Sequence, residues 1–193
     1  MRKLTYFVAA TLDGYIAETS DADPSNGLFA IGQDYVEFVV ANYPETLPVG
    51  ARQALGVTDP GTRFDTVLEG RRSYQIGLDL GVTDAYPHLR HLVFSRTLGA
   101  APAPDVEVVA SDPVERVRKL KAADGGGIWL VGGAELAGVL YDEIDEIVVK
   151  VSPVTAGAGV PLFAGRSGAQ ARRYKLTAHQ ILDSGVAVMT YSA

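Results

Sequence analysis

Apolar residues along this chain fall into short runs that switch repeatedly between two spacings. Leu4 to Ala10, LTYFVAA, is a continuous stretch of aromatic, β-branched and small apolar residues that reads as a buried strand, and Asp13-Gly14 is a turn signal after it. In QDYVEFVVAN, residues 33 to 42, Tyr35, Val36, Val39 and Val40 recur at helical spacing, and Pro44 and Pro48 stop the helix. Strands are expected at Thr66 to Glu69, His91 to Ser95 and Val106 to Ala110, with a helix opening at Gly70. Asp112-Pro113 is expected to cap a helix over PVERVRKLKAA, with basic residues toward its end as the helix dipole favours. GGGIWLV then gives a strand, AELAGVLYD a helix and EIDEIVVKVSPV a strand; RYKLTAHQILDSGVAVMTYSA closes as two strands around Asp183-Ser184-Gly185. Between Gly50 and Arg63 no period is firm.

Strands alternating with helices, followed by a terminal hairpin, predict an α/β fold: a mixed, mainly parallel sheet with helices on both faces and a C-terminal antiparallel hairpin. No repeat, low-complexity segment or linker-like composition shift divides the chain, so residues 1 to 193 are expected to form one domain. Residues 18 to 32, ETSDADPSNGLFAIG, are polar and carry glycine and proline before turning apolar, which suggests a lid reaching over a site.

Composition narrows the function. The chain is 47% hydrophobic and 21% charged, with net charge −6 and a mean hydropathy of +0.11. The acidic balance, without a basic run, argues against nucleic-acid or anionic membrane partners and for a small molecule. Cysteine is absent, which removes disulfides, thiolate metal sites and cysteine nucleophiles. A histidine-rich zinc site would need His88, His91 and His179 to converge from separate segments, so no metal is expected. Thr5, Tyr6, Thr11 and Asp13 interrupt the first apolar run, which is read as a strand of a cytoplasmic protein rather than a signal peptide.

Three strand-to-helix or strand-to-loop junctions carry candidate chemistry. After IWLV, Gly132 and Gly133 let the backbone turn tightly beside a ligand, with the next helix's first amides facing an anion; alternatively they only let helix and strand pack closely. VLEGRRSY gathers Gly70, Arg71, Arg72 and Ser73 at a helix start, where cations oppose the dipole unless a phosphate lies there; alternatively the arginines are solvated or paired with Asp65 and Glu69. VFSRTL places Ser95 and Arg96 at a third strand end, either as phosphate contacts or as an ordinary loop. Together they suit an extended polyphosphate with a peripheral phosphate, the shape of NADPH.

In this order FVAATLDGYIA, EGRRSY, VFSRTL, IWLVGGAELAGVLYD and DEIVVKVSPVTAGAGVPLF resemble the dihydrofolate reductase-like superfamily. The nearer branch is similar to the C-terminal reductase domain of riboflavin-biosynthesis deaminase-reductases and its stand-alone relatives. The resemblance implies that Ala9, Ala10 and Ile16 line the nicotinamide end of a bound NADPH. It implies that Gly70, Arg71, Arg72 and Ser73 hold the diphosphate and the 2′-phosphate region, that Ser95 and Arg96 face the adenosine phosphate, and that Gly132, Gly133, Ala134 and Glu135 form the second diphosphate turn. Dihydrofolate reductases use an acid early in their first helix, and Asp34 in QDYVEF occupies that place as a candidate catalytic group; it serves equally as a helix-dipole acid. Asp13 reads as a turn-capping residue, and Tyr74 and Trp129 as core.

The implied activity is hydride delivery to a small heterocycle of pterin, pyrimidine or flavin-precursor type. A protein that binds the dinucleotide without catalysis, or that keeps the fold alone, remains an alternative. The apolar C-terminal strands offer an edge for a homodimer.

Overall fold

The computed structural model describes residues 1–19, 24, 27–29, 31–165 and 171–193. Of the segment expected to act as a lid, residues 18 to 32, residues 20–23, 25, 26 and 30 lie outside them. Ten strands and five α-helices follow one another as β1 (Leu4–Ala10), β2 (Tyr15–Ala17), α1 (Gln33–Asn42), α2 (Val49–Leu55), β3 (Phe64–Gly70), α3 (Arg71–Asp79), β4 (Arg90–Phe94), β5 (Val106–Val109), α4 (Pro113–Ala122), β6 (Gly127–Gly132), α5 (Ala134–Val139), β7 (Glu146–Val151), β8 (Val160–Pro161), β9 (Lys175–Ile181) and β10 (Ala187–Ser192). Short 3-10 turns occupy Pro44–Thr46 and Tyr141–Glu143.

Eight strands form one sheet in the order β5-β4-β3-β6-β1-β7-β10-β9, and β2 pairs with β8 in a separate two-stranded sheet. From β5 to β7 every pairing is parallel; β7 with β10 and β10 with β9 are antiparallel. The sheet is thus mainly parallel with an antiparallel hairpin at one edge, as the alternation of elements predicts.

The two-residue period of β1 divides the core. Leu4, Tyr6, Val8 and Ala10 pack on one face with Val117 and Leu120 of α4 and with Leu136 and Ala137 of α5. Phe7 packs on the other with Phe38 and Val39 of α1, Trp129 of β6 and Val188 of β10. Tyr74 and Trp129 are core residues as expected: the Tyr74 hydroxyl donates to the Thr83 carbonyl at 2.7 Å, and the Trp129 indole donates to the Phe7 carbonyl at 3.3 Å.

Three details differ from the sequence expectation. Residues 49–55 form α2, which buries none of its side chains and so carries no apolar stripe to betray it. Strands β2 and β8 are three and two residues long, too short for an alternation to show. Asp112 stands at the start of α4 with φ of 48°, yet its side chain makes no capping hydrogen bond, so Pro113 and the dipole-favoured charges mark that helix without a carboxylate cap.

The three histidines lie apart. His88 meets the Glu45 carbonyl, His179 is on the far edge strand, and His91 is buried on β4. Its Nε2 lies 2.7 Å from Glu69 Oε1 and its Nδ1 lies 2.8 Å from Asp84 Oδ1. Burial alone would lower the His91 pKa, but the hydrogen bonds and charges of Glu69 and Asp84 outweigh it and hold the pKa above the ordinary value. Burial raises that of Glu69, with His91 opposing. Both shifts mean that the folded chain holds protons more tightly than the unfolded one, so stability falls as pH rises. The His91 contribution is complete below about pH 6.5 and is lost as pH climbs through the folded value. Thermal unfolding followed from pH 5.5 to 9 is expected to show a falling midpoint. His91→Leu is expected to lose about 3 kcal/mol at neutral pH from stranding a buried carboxyl.

Candidate active site along the carboxyl ends of the parallel strands

Adjacent strands bring the candidate groups into a row. Ala9 of β1 is in register with Lys150 of β7, Glu69 of β3 with Gly132 of β6, and Gly70 of β3 with Phe94 of β4. Across β7, β1, β6, β3 and β4 the ends therefore read Lys150, Ala9-Ala10, Gly132-Gly133, Gly70-Arg71 and Ser95-Arg96. Four inter-strand gaps make this row roughly 20 Å long.

The two glycine turns touch. A β-carbon on Gly70 would lie 3.5 Å from the Gly133 amide nitrogen and 3.7 Å from the Gly132 carbonyl oxygen. Gly132 has φ of +143°, which calls for glycine, and the Gly132–Gly133 peptide is cis. Gly133 differs: its φ is −55°, and a β-carbon there would meet nothing within 4 Å. Packing therefore does not demand glycine at 133, which favours close approach of a ligand over helix packing as the reason for it. Ala134 is buried and its carbonyl accepts from the Ala164 amide, while Glu135 is exposed at the start of the six-residue α5.

The start of α3 is more telling. Gly70 is its N-cap, no side chain caps the first turn, and no acid lies there. Its first amides lack intrahelical partners, and two guanidiniums replace the acid that the dipole favours. Arg71 Nη1 is buried without a hydrogen-bond partner, one of three such side-chain atoms among the described residues. Buried polar atoms are nearly always partnered, so this one needs an explanation. The alternative pairing of the arginines with Asp65 and Glu69 is absent among the described residues: Asp65 binds Arg2, and Glu69 binds His91. Arg72 is exposed and donates to the Thr19 carbonyl at 3.1 Å, tying α3 to the segment after β2. Ser73 is half-buried in the same turn.

At the next strand end, Ser95 Oγ accepts from the amides of Thr97 at 3.3 Å and Leu98 at 3.0 Å. The hydroxyl shapes the turn that presents Arg96, which is exposed and makes no ion pair among the described residues. At the other end of the row Ala10 faces the α5 side, Ala9 faces the α1 side, and Ile16 Cδ1 lies 4.0 Å from a β-carbon position on Gly132. Ile16 is held there by a strap. Asp13 accepts from the Thr11 hydroxyl at 2.6 Å and from the amides of Ala156 and Gly157 at 3.1 and 2.8 Å. These bonds, Thr11's first and Gly157's next, lower its pKa to about 2. The turn-capping role expected for Asp13 is what the structure displays.

Asp34 lies in the first turn of α1, where the sequence places it. Its carboxylate accepts from the Ser184 amide at 2.7 Å and the Tyr35 amide at 2.8 Å, fastening α1 to the turn between β9 and β10. The Ser184 bonds, first among several, hold its pKa below the ordinary carboxylate value. These contacts suit the helix-start alternative for Asp34 as well as the catalytic one. The charged side chain that does sit beneath α1, Lys150, passes unnoticed in the sequence because EIVVKVSPV reads only as a strand.

The architecture and the row of glycine turns define a dihydrofolate reductase-like α/β protein. Within that class, residues 84–188, just over half of the chain, match the model of the RibD C-terminal domain, and the chain belongs to that family. It is 28% identical over 165 residues to uncharacterized protein YwjB of Bacillus subtilis (strain 168), covering 84% of this chain and 83% of the relative. It is 29% identical over 150 residues to uncharacterized protein YyaP of the same organism, covering 71% and 78%. Among solved structures, a protein named for riboflavin biosynthesis from Shewanella sp. PV-4 superposes with a TM-score of 0.68 at 21% identity, over 100% of this chain and 98% of that one. A diaminohydroxyphosphoribosylaminopyrimidine deaminase/5-amino-6-(5-phosphoribosylamino)uracil reductase from Thermotoga maritima gives a TM-score of 0.64 at 18% identity. This chain is covered fully in that match and spans 57% of the other. Among the described residues no helix is long and apolar enough to cross a membrane.

Gly133 separates the two explanations of the glycine pair. Gly133→Ala is expected to fold with a thermal midpoint close to that of the unaltered protein while losing about tenfold or more in dinucleotide affinity, measured by calorimetry. Retained affinity would return the pair to a packing role.

Proposed function

We propose that the protein is an NADPH-dependent reductase of a small heterocycle of pterin, pyrimidine or flavin-precursor type. The observation that carries this reading is the buried, unpartnered Arg71 guanidinium nitrogen at an uncapped helix start, against a Gly133 that opens onto free space. A diphosphate or a 2′-phosphate supplies the missing acceptors. Gly70, Arg71, Arg72 and Ser73, with the turn at Gly132, Gly133, Ala134 and Glu135, would hold the diphosphate through backbone amides and guanidinium groups. Arg71 and Arg96, on neighbouring strand ends, would hold the 2′-phosphate that distinguishes NADPH from NADH. Ala9, Ala10 and Ile16, small or apolar, would border the nicotinamide.

When bound, the cofactor supplies a hydride to a C=N or C=O carbon. The protein's part is to orient the two rings and exclude water. Asp34, once released from the Ser184 amide, or a water molecule would give the proton that the adjacent heteroatom then takes. The names of the structural neighbours refer to riboflavin biosynthesis, which supports the reductase class. A protein that binds the dinucleotide without turnover shares the same row of residues, and the two part on NADPH oxidation.

Titration of the purified protein with NADPH and NADH tests the reading. NADPH is expected to bind tighter, and Arg71→Ala should weaken NADPH about 10- to 100-fold, the scale of one or two charge-assisted hydrogen bonds, and NADH less. Equal losses would remove Arg71 from the 2′-phosphate, and no binding of either nucleotide would remove the function. NADPH oxidation with a panel of pterins, pyrimidines and flavins then separates a reductase from a binder.

We further propose a homodimer built on β9, whose seven residues are all exposed at the sheet edge, with Leu176 47% and Ile181 64% accessible. Such an edge is ordinarily paired or covered. Sedimentation velocity is expected to show a species of twice the chain mass, and Leu176→Lys with Ile181→Lys should shift it to monomer.

A further inference from the structure

His91, Glu69 and Asp84 form a titratable cluster that the reading above leaves unused. His91 is 1% and Glu69 4% exposed, and the ring spans two carboxyl groups: Nε2 lies 2.7 Å from Glu69 Oε1 and Nδ1 lies 2.8 Å from Asp84 Oδ1. The three residues tie together β3, β4 and the connection that leads from α3 into β4. Tyr74 of α3 and Tyr86 of that connection set their rings edge-on to His91, at 5.8 and 5.7 Å. From β5 the residue in register is Val106, which brings no charge. Neighbouring charged and titratable groups are engaged elsewhere: Arg90 pairs with Glu107, and His88 meets the Glu45 carbonyl.

Each of these contacts requires a proton, since a bare ring nitrogen and a carboxylate oxygen are both acceptors. One proton serves Asp84. The other lies between Nε2 and Oε1, on the imidazole or on the carboxyl, and either way the His91–Glu69 pair is neutral. Its loss sets two acceptors face to face at 2.7 Å and adds a negative charge shielded from water. Glu69 carries that disturbance to the site. It is in register with Gly132, it precedes the Gly70 that caps α3, and Arg71 with its unpartnered Nη1 comes next. The Tyr74 hydroxyl senses Glu69, Asp84 and Arg71 together, so the added charge falls within reach of the Arg71 guanidinium. A carboxylate newly charged there draws the guanidinium inward and opposes an incoming anion. Burial holds the Tyr74 hydroxyl above its ordinary value, so Tyr74 stays neutral while the His91–Glu69 pair titrates.

We propose that His91 is a positioning residue that acts through Glu69 on the start of α3, and that an anionic phosphate bound at Arg71 is accompanied by proton uptake at the His91–Glu69 contact. This rests on the dinucleotide reading. The protonated pair is the binding form, so affinity falls as pH rises, and the bound phosphate raises the pair's proton affinity by the same factor. NADPH is titrated by calorimetry from about pH 7 to about pH 9.5, a range in which a phosphate monoester with a second pKa of about 6 no longer changes charge. Kd is expected to rise about five- to 100-fold across that range. Heats in buffers of different ionisation enthalpy should show uptake of up to one proton, which a merely structural histidine would not produce. Glu69→Gln keeps a donor to Nε2 but carries no charge at any pH. It should bind NADPH at the upper pH about as tightly as the unaltered protein does at the lower, without proton uptake. In the unaltered protein the NMR titration of the His91 ring should move to higher pH when NADPH is bound, a readout that needs no variant. Binding that is independent of pH, an unmoved His91 titration, or a pH dependence that survives Glu69→Gln would overturn the proposal alone. Absence of NADPH binding at every pH would remove the dinucleotide reading and this inference with it.

Discussion

The parallel pairing of β3 with β6 is the constraint on which the site depends. These two strands are distant in sequence, and their register sets Glu69 beside Gly132. Both then turn into helices at the same level of the sheet. Their turns approach so closely that a β-carbon on Gly70 would already touch the Gly133 amide. A parallel sheet makes this geometry natural, because every strand delivers its carboxyl end, and the start of the following helix, to the same edge. Moving the register by one residue would exchange the two faces of β6, sending Trp129 to the α5 side. The hydrophobic pattern that fixes the core therefore also fixes the spacing of the two glycine turns.

Most of that frame could be read from the chain because its cause is local. The first strand, α1 and α4 announce themselves through unbroken apolar runs or helical spacing, and α1 spans the expected Gln33–Asn42. What escaped is what rests on contacts distant in sequence. Helix α2 has no buried face, so no periodicity marks it. The partner of the Asp34 carboxylate is Ser184, 150 residues away. An acid in a first helical turn looks the same whether it faces a substrate or a hairpin. Lys150 illustrates the converse: strand alternation allows a lysine at that position, and only the neighbours on β1 and β10 together with α1 make it buried.

The strap over β1 shows how the sheet's edge is kept in place. Asp13 holds the amides of Ala156 and Gly157, β2 pairs with β8, and the Tyr6 hydroxyl donates to the Leu162 carbonyl at 3.0 Å. Phe163 sets its ring edge-on against Tyr6 at 5.5 Å, and Gly138 lets the Ala164 carbonyl lie against α5 where any side chain would collide. The glycine-rich stretch from 157 to 163, which in sequence looks like a loop motif, is thus the latch that fixes Ile16 beside the Gly132 turn.

A chain of net charge −6 nonetheless presents a cationic edge, and the reason lies in what its acids are doing. Near this end of the sheet Asp13 is bound by backbone amides, Asp34 by the hairpin, and Glu69 by a buried histidine. Each could have neutralised a neighbouring cation, and each is occupied elsewhere. Glu135 stands exposed at the first turn of α5. Lys150, Arg71 and Arg96 are thereby left without carboxylates at three points of one row, separated by small neutral residues. A uniformly basic surface would draw any polyanion. Isolated cations at strand-spaced intervals, on an otherwise acidic protein, are instead what the proposed extended dinucleotide would require.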